Sequence, residues 1–150
     1  MNSLKRYLKY VLFFAIVFSF GVSCNSDDDG NQGNCGNAVC TEEFRAFDVS
    51  VVNRSQEPIA LDEFVVTWVE SGRNLTLDYS QEDLEVYQAS GMYPLISDSY
   101  LSDFRSRVIS LTFEGYINGE LVVDEDFTVA FDCCHVFLIE GDLEVVLGVD

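Results

Sequence analysis

The chain has 150 residues, of which 26 are acidic and 8 basic, giving a formal charge of −18. A surface of that sign repels nucleic acid and anionic headgroups, and no basic patch offsets it, so nucleic acid is not an expected partner. A single histidine and no Gly-x-Ser-x-Gly elbow leave little material for nucleophilic catalysis.

Lys5, Arg6 and Lys9 precede an apolar run from Tyr10 to Val22. That run is short of the roughly 20 residues a helix needs to cross a bilayer. It reads instead as the core of a secretory signal over residues 1–23, cleaved just before Cys24. Gly21-Val22-Ser23-Cys24 is similar to the lipobox of bacterial lipoproteins, with Gly21 where a Leu is usual. The resemblance implies that Cys24 carries a diacylglyceryl group and an N-acyl chain. Each buried acyl CH₂ contributes about 0.8 kcal/mol, so two or three chains hold a protein stably at a membrane. Ser26 followed by Asp27, Asp28 and Asp29 resembles the acidic tag that sends Bacteroidota lipoproteins to the cell exterior. This implies an outer-membrane address facing outward. Residues 24–34, rich in Gly, Asn and Asp, form the expected flexible acidic tether.

Removing residues 1–23 takes away Lys5, Arg6 and Lys9 and no acidic residue. Five arginines then face 26 acidic groups, a formal charge of −21. Such a charge serves solubility on a crowded surface. Residues 35–150 are of a size to make one domain with its own core.

Within that domain the pattern is mostly period two. Phe47, Val49 and Val51 alternate with Asp48 and Ser50, and Asn53 to Pro58 breaks the strand. Phe64, Val66 and Trp68 form one face of the next strand, and Val65, Thr67 and Val69 suggest cover on the other. Ser71 to Asn74 turns the chain into Leu75 and Leu77. Ser80 and Asp83 predict a capping box, Leu84 and Tyr87 a shared helical face, and Gly91 the helix end. Tyr93 to Ile96 is extended, because Pro94 disfavours helical angles at Tyr93. Asp98 to Arg105 predicts a second short helical turn. Ile109, Leu111 and Phe113 begin a long strand, and Asn118-Gly119 predicts a type I′ hairpin. Leu121 to Val123 and Phe127 to Phe131 return, Cys134 to Ile139 makes a further strand, and Leu143 to Leu147 the last. The expected fold is all-β: an antiparallel β-sandwich of seven or eight strands, Ig-like or transthyretin-like, with one or two short helices.

Four cysteines follow Cys24: Cys35, Cys40, Cys133 and Cys134. An export signal places them where even sets of thiols pair. Cys133 and Cys134 are adjacent, and neighbouring side chains on a strand face opposite ways, so each is expected to pair with Cys35 or Cys40. Sequence leaves the connectivity open. The competing reading is a zinc or Cu(I) site drawn from these thiols and His135, with Cys133, Cys134 and His135 at its centre. Asp124-Glu125-Asp126 lacks calcium-loop spacing and reads as solvated turn residues.

The stretch Asp132-Cys133-Cys134-His135-Val136 resembles small surface lipoproteins of the same bacterial group, a resemblance that carries no activity with it. No catalytic residue and no cofactor is assigned. The expected function is a non-catalytic binding or structural module held to the membrane through Cys24, with a protein or glycan as ligand. Trp68, Tyr79, Tyr87, Tyr93, Tyr100 and Tyr116 could supply an aromatic patch, although most of them suit a core. The alternative is a metal-binding accessory or a hydrolase that uses His135 and acidic residues.

Overall fold

Period-two patterning becomes a strand wherever one face of the chain meets the core. The structure, a computed structural model, describes residues 35–148, all within one unit. The lipidation and export residues Cys24, Ser26, Asp27, Asp28 and Asp29 lie outside the described residues. β1 (Ala46–Asn53) buries Val49 and Val51 completely and leaves Asp48 and Ser50 half-buried. β2 (Glu63–Trp68) buries Phe64 and Val66. Its outer face is not fully covered as the sequence suggested: Val65 and Thr67 are half-buried and Val69 is exposed. β3 is reduced to Arg73–Asn74, paired with Thr67 and Trp68.

Helix α1 (Gln81–Ser90) carries the capping box its sequence predicts. The Ser80 hydroxyl accepts from the Asp83 N–H, and the Asp83 carboxylate accepts from the Ser80 N–H. Leu84 is buried and Tyr87 packs on the core. Gly91 ends the helix at φ 69°, where a Cβ would lie 2.8 Å from the Val51 carbonyl oxygen. β4 (Met92–Ser97) follows, then a 3-10 turn at Asp98–Tyr100 and the short helix α2 (Leu101–Phe104).

β5 (Arg107–Ile117) and β6 (Glu120–Phe131) form the longest hairpin. Asn118 and Gly119 take φ of 52° and 77° at its tip, as a type I′ turn requires. The two apolar runs of its second arm are one continuous strand. β7 (Val136–Glu140) begins two residues later than expected, so Cys133 and Cys134 sit in the bend ahead of it and not on a strand. β8 (Glu144–Leu147) does not fold back on β7. The Leu143 carbonyl accepts from the Ser50 N–H, and β8 runs parallel to β1. The fold is therefore a β-sandwich with one parallel pair. A five-stranded sheet of order β3-β2-β5-β6-β7 faces a three-stranded sheet of order β4-β1-β8.

The core between the sheets is aromatic. Phe64 stacks on Tyr79 at 4.9 Å between centroids and meets Tyr93 at 5.5 Å and Phe113 at 5.9 Å. Burying each such ring contributes about 1.5–3 kcal/mol. Tyr93 is fully buried, and its hydroxyl is satisfied on both sides. It donates to the Ile59 carbonyl at 2.7 Å and accepts from the Leu61 N–H at 2.8 Å, which ties the β1–β2 connection into the core.

Candidate functional site

The four cysteines form two parallel bridges, Cys35–Cys133 and Cys40–Cys134, with Cα separations of 5.5 and 5.3 Å, within the usual disulfide span. Adjacent Cys133 and Cys134 each take a partner from the amino-terminal arm, as expected, although they sit in a bend and not on a strand. The bend that carries them is built on Asp132. One oxygen of its carboxylate accepts from the N–H groups of Cys134 and His135, at 2.6 and 2.7 Å. Burial works against the charge of Asp132. Those two N–H bonds, with the charges of His135 and Arg45, nevertheless hold its carboxyl below the ordinary value.

His135 is thereby turned inward, to 7% exposure. Its Nδ1 lies 2.8 Å from an Asp98 carboxylate oxygen and its Nε2 lies 3.0 Å from the Thr41 hydroxyl. An ionised Asp98 has only acceptors to offer, so Nδ1 carries the proton and donates it. In the neutral ring Nε2 then accepts from the Thr41 hydroxyl. Asp98 follows the Ser97 cap at the end of β4. The oxygen that meets His135 also accepts from the Arg45 N–H at 2.8 Å, and the other accepts from the Val136 N–H at 2.7 Å. Burial opposes ionisation of Asp98. The bond from His135, the two backbone N–H bonds and the histidine charge outweigh it and hold the carboxyl below its ordinary value.

Thr41, His135 and Asp98 thus stand in the order hydroxyl, imidazole, carboxylate, the geometry of an activated nucleophile. The same contacts clamp three separate pieces of chain together: the arm at Thr41 and Arg45, the end of β4 at Asp98, and the start of β7 at His135 and Val136. Sequence singled out His135 but not its partners. Thr41 is 94 residues from it and Asp98 is 37 residues away, and no local pattern ties either to an imidazole.

The other candidate residues are used differently. With every described cysteine bridged, no thiolate of Cys133 or Cys134 is available beside His135. Among the described residues, no group of three or more His, Cys, Asp or Glu is placed to hold a metal ion. Asp126 bonds the Thr112 hydroxyl at 2.9 Å, and Asp124 and Glu125 are exposed along β6 instead of in a turn, as the sequence suggested. Tyr93 belongs to the core, and Trp68, Tyr79, Tyr87 and Tyr100 pack against it half-buried. Trp68 is further covered by the guanidinium groups of Arg107 and Arg73, at 5.1 and 5.6 Å. No exposed aromatic patch is assembled from these residues.

A solvent-connected cavity of 260 Å³ opens elsewhere, between β1, β4 and the segment that follows β3. Its walls are mainly apolar, with Asp48 among them. No family model, no curated protein and no solved structure matches this chain.

Proposed function

We propose that the chain is a lipoprotein of the outer membrane, anchored through Cys24 and facing the cell exterior, whose β-sandwich acts as a non-catalytic binding or structural module. The observation that carries this reading is the pair of disulfides. Paired thiols belong to an oxidising compartment, which agrees with the export signal read from residues 1–23. They also fasten the domain close behind the tether, so that the anchor is joined to the most strongly cross-linked part of the fold. The commitment of both Asp98 oxygens to backbone N–H groups favours a structural use of the His135 network. Proteinase K applied to intact cells tests the address. The tether should be cut and the domain released while periplasmic proteins stay whole. A domain that resists until the outer membrane is opened would contradict it.

A second reading, hydrolysis through His135 and acidic residues, is favoured by one specific contact, the Thr41 hydroxyl at 3.0 Å from Nε2. Turnover of an activated ester that Thr41→Ala removes while the domain stays folded would favour this reading. Calorimetry with zinc, Cu(I) and calcium addresses the metal-binding form of it. A stoichiometric response that His135→Ala abolishes is its expected signature.

A further inference from the structure

We infer that the cavity between β1, β4 and the Leu75–Leu77 segment is a binding site for a small hydrophobic amine, with an apolar body of side-chain size and a protonated nitrogen that meets Asp48. This inference rests on reading the domain as a binding module.

The cavity exists because the sandwich is open along one rim. β4 is the edge of the three-stranded sheet and β3 is the edge of the other. β3 stops after two residues, and the chain continues through Leu75 and Leu77 without forming a longer strand. Directly across from it, the β1–β4 ladder is interrupted between Phe47 and Asp48 by a bulge that leaves Leu95 without a register partner. Bulges of this kind re-aim side chains at sheet edges and beside sites. Phe44, Phe47, Leu75, Leu77, Ile96 and Tyr100 line the space. Phe44 and Leu77 at its mouth are 66% and 47% exposed, so apolar surface is left in water where an apolar ligand would cover it.

The polar groups in the wall select the ligand. The Tyr100 hydroxyl is spent on the Leu75 carbonyl at 2.6 Å, and the Ser97 and Ser99 hydroxyls bond each other at 2.8 Å. The Asp48 side chain is half-buried, and its carboxylate takes no hydrogen bond or ion pair from the described residues. Burial accordingly pushes its carboxyl above the ordinary value. A carboxylate withdrawn from water without a partner is costly, and a cation brought to it offsets that cost. No arginine lines the cavity, and the whole molecule is strongly negative, so an anionic ligand is disfavoured at any range. The volume sets the size. Drug-sized ligands occupy pockets of roughly 300–1,000 Å³, so 260 Å³ suits a smaller molecule.

The test uses the full processed chain in lipid nanodiscs, with ¹³C-labelled methyl groups read by NMR so that amine dissolved in lipid does not contribute. The probes are 2-phenylethylamine, 2-phenylethanol and phenylacetate. The amine should shift the methyls of Leu75, Leu77, Leu95 and Ile96 in a saturable way, at least tenfold more tightly than the alcohol. Phenylacetate should not saturate. Asp48→Asn should abolish the preference for the amine while the spectrum stays that of a folded protein. Leu77→Trp, which fills the mouth, should block all three probes. No saturable shift with the amine, equal affinity for amine and alcohol, or preference for phenylacetate would each overturn the proposal. So would a basic aromatic peptide that saturates these methyls where the free amine does not. Failure here leaves the anchored-module reading in place, because lipid on Cys24 and exposure on cells are measured independently. An unlipidated chain would in turn leave the methyl result standing.

Discussion

Both oxygens of Asp98 are committed, one to His135 and the Arg45 N–H and the other to the Val136 N–H, in a place with 9% exposure. Removing the carboxylate strands three donors at once. Asp98→Ala should therefore cost about 3–5 kcal/mol, the range seen when one partner of a buried pair is deleted, measured by urea unfolding. Asp98→Asn keeps one acceptor oxygen and should cost less. The pH dependence follows from the lowered carboxyl. Its unfolded value is near the ordinary 3.8, and the folded group gives up its proton more readily. Between the two values the unfolded chain binds more protons, so the stabilisation is fully present above the unfolded value and is lost as pH falls through the folded one. The acid limb of a stability–pH curve should be shallower in Asp98→Asn than in the parent chain. An unchanged limb would mean that another carboxylate, such as Asp132, dominates. Thr41→Ala leaves the His135–Asp98 bond in place and should change stability by about 1 kcal/mol, the net worth of one hydrogen bond. None of this was legible beyond His135 itself. A buried network is assembled from residues far apart in sequence, and period-two reading reports which way a side chain points but not what it meets.

Helix α1 shows the opposite case. Its beginning, buried face and end follow from Ser80, Asp83, Leu84, Tyr87 and Gly91, because capping and αL termination are settled within one or two turns of chain. Ser80→Ala should cost about 1 kcal/mol in thermal or urea unfolding. The Asn118-Gly119 hairpin was legible for the same reason: the positive φ it needs is a local demand. The path of β8 was not. Glu140-Gly141-Asp142 marks a turn but not its destination, and it carries the chain to the other sheet. Burial of Val145 beside β1, and not any turn signal, decides that placement. The disulfides lie between these extremes, since adjacency argues against a Cys133–Cys134 bridge but does not choose between the two cross-pairings. Their parallel arrangement has an energetic consequence. Either bridge alone closes a loop of nearly 100 residues, and once one is formed the second adds only a loop of several residues. In the chain-entropy model, losing either bridge costs about 2–3 kcal/mol and losing both costs about 7 kcal/mol. Unfolding of the Cys35→Ala/Cys133→Ala and Cys40→Ala/Cys134→Ala variants and of the four-cysteine variant checks this. Additive losses would mean that the bridges stabilise independently.

Under the proposed function, an address read from the first thirty residues is joined to a sandwich stapled at the base of its arm and open along one rim. The cavity at that rim escaped the sequence because Asp48 reads as an ordinary outward-facing strand residue. Its half-burial without a bond from any described residue depends on how β3 ends and on the bulge opposite. Under that proposal lipid, bridges and outward exposure support one another physically. Acylation requires export, and export brings the thiols to where they oxidise. Intact mass of the protein extracted from membranes tests this chain of dependence most directly. The account predicts a polypeptide that begins at Cys24, carries the mass of a diacylglyceryl thioether with or without an N-linked acyl chain, and is four hydrogens lighter than its fully reduced form. A mass that retains Met1 to Ser23, or an unmodified Cys24 with the remaining four thiols reduced, would contradict it.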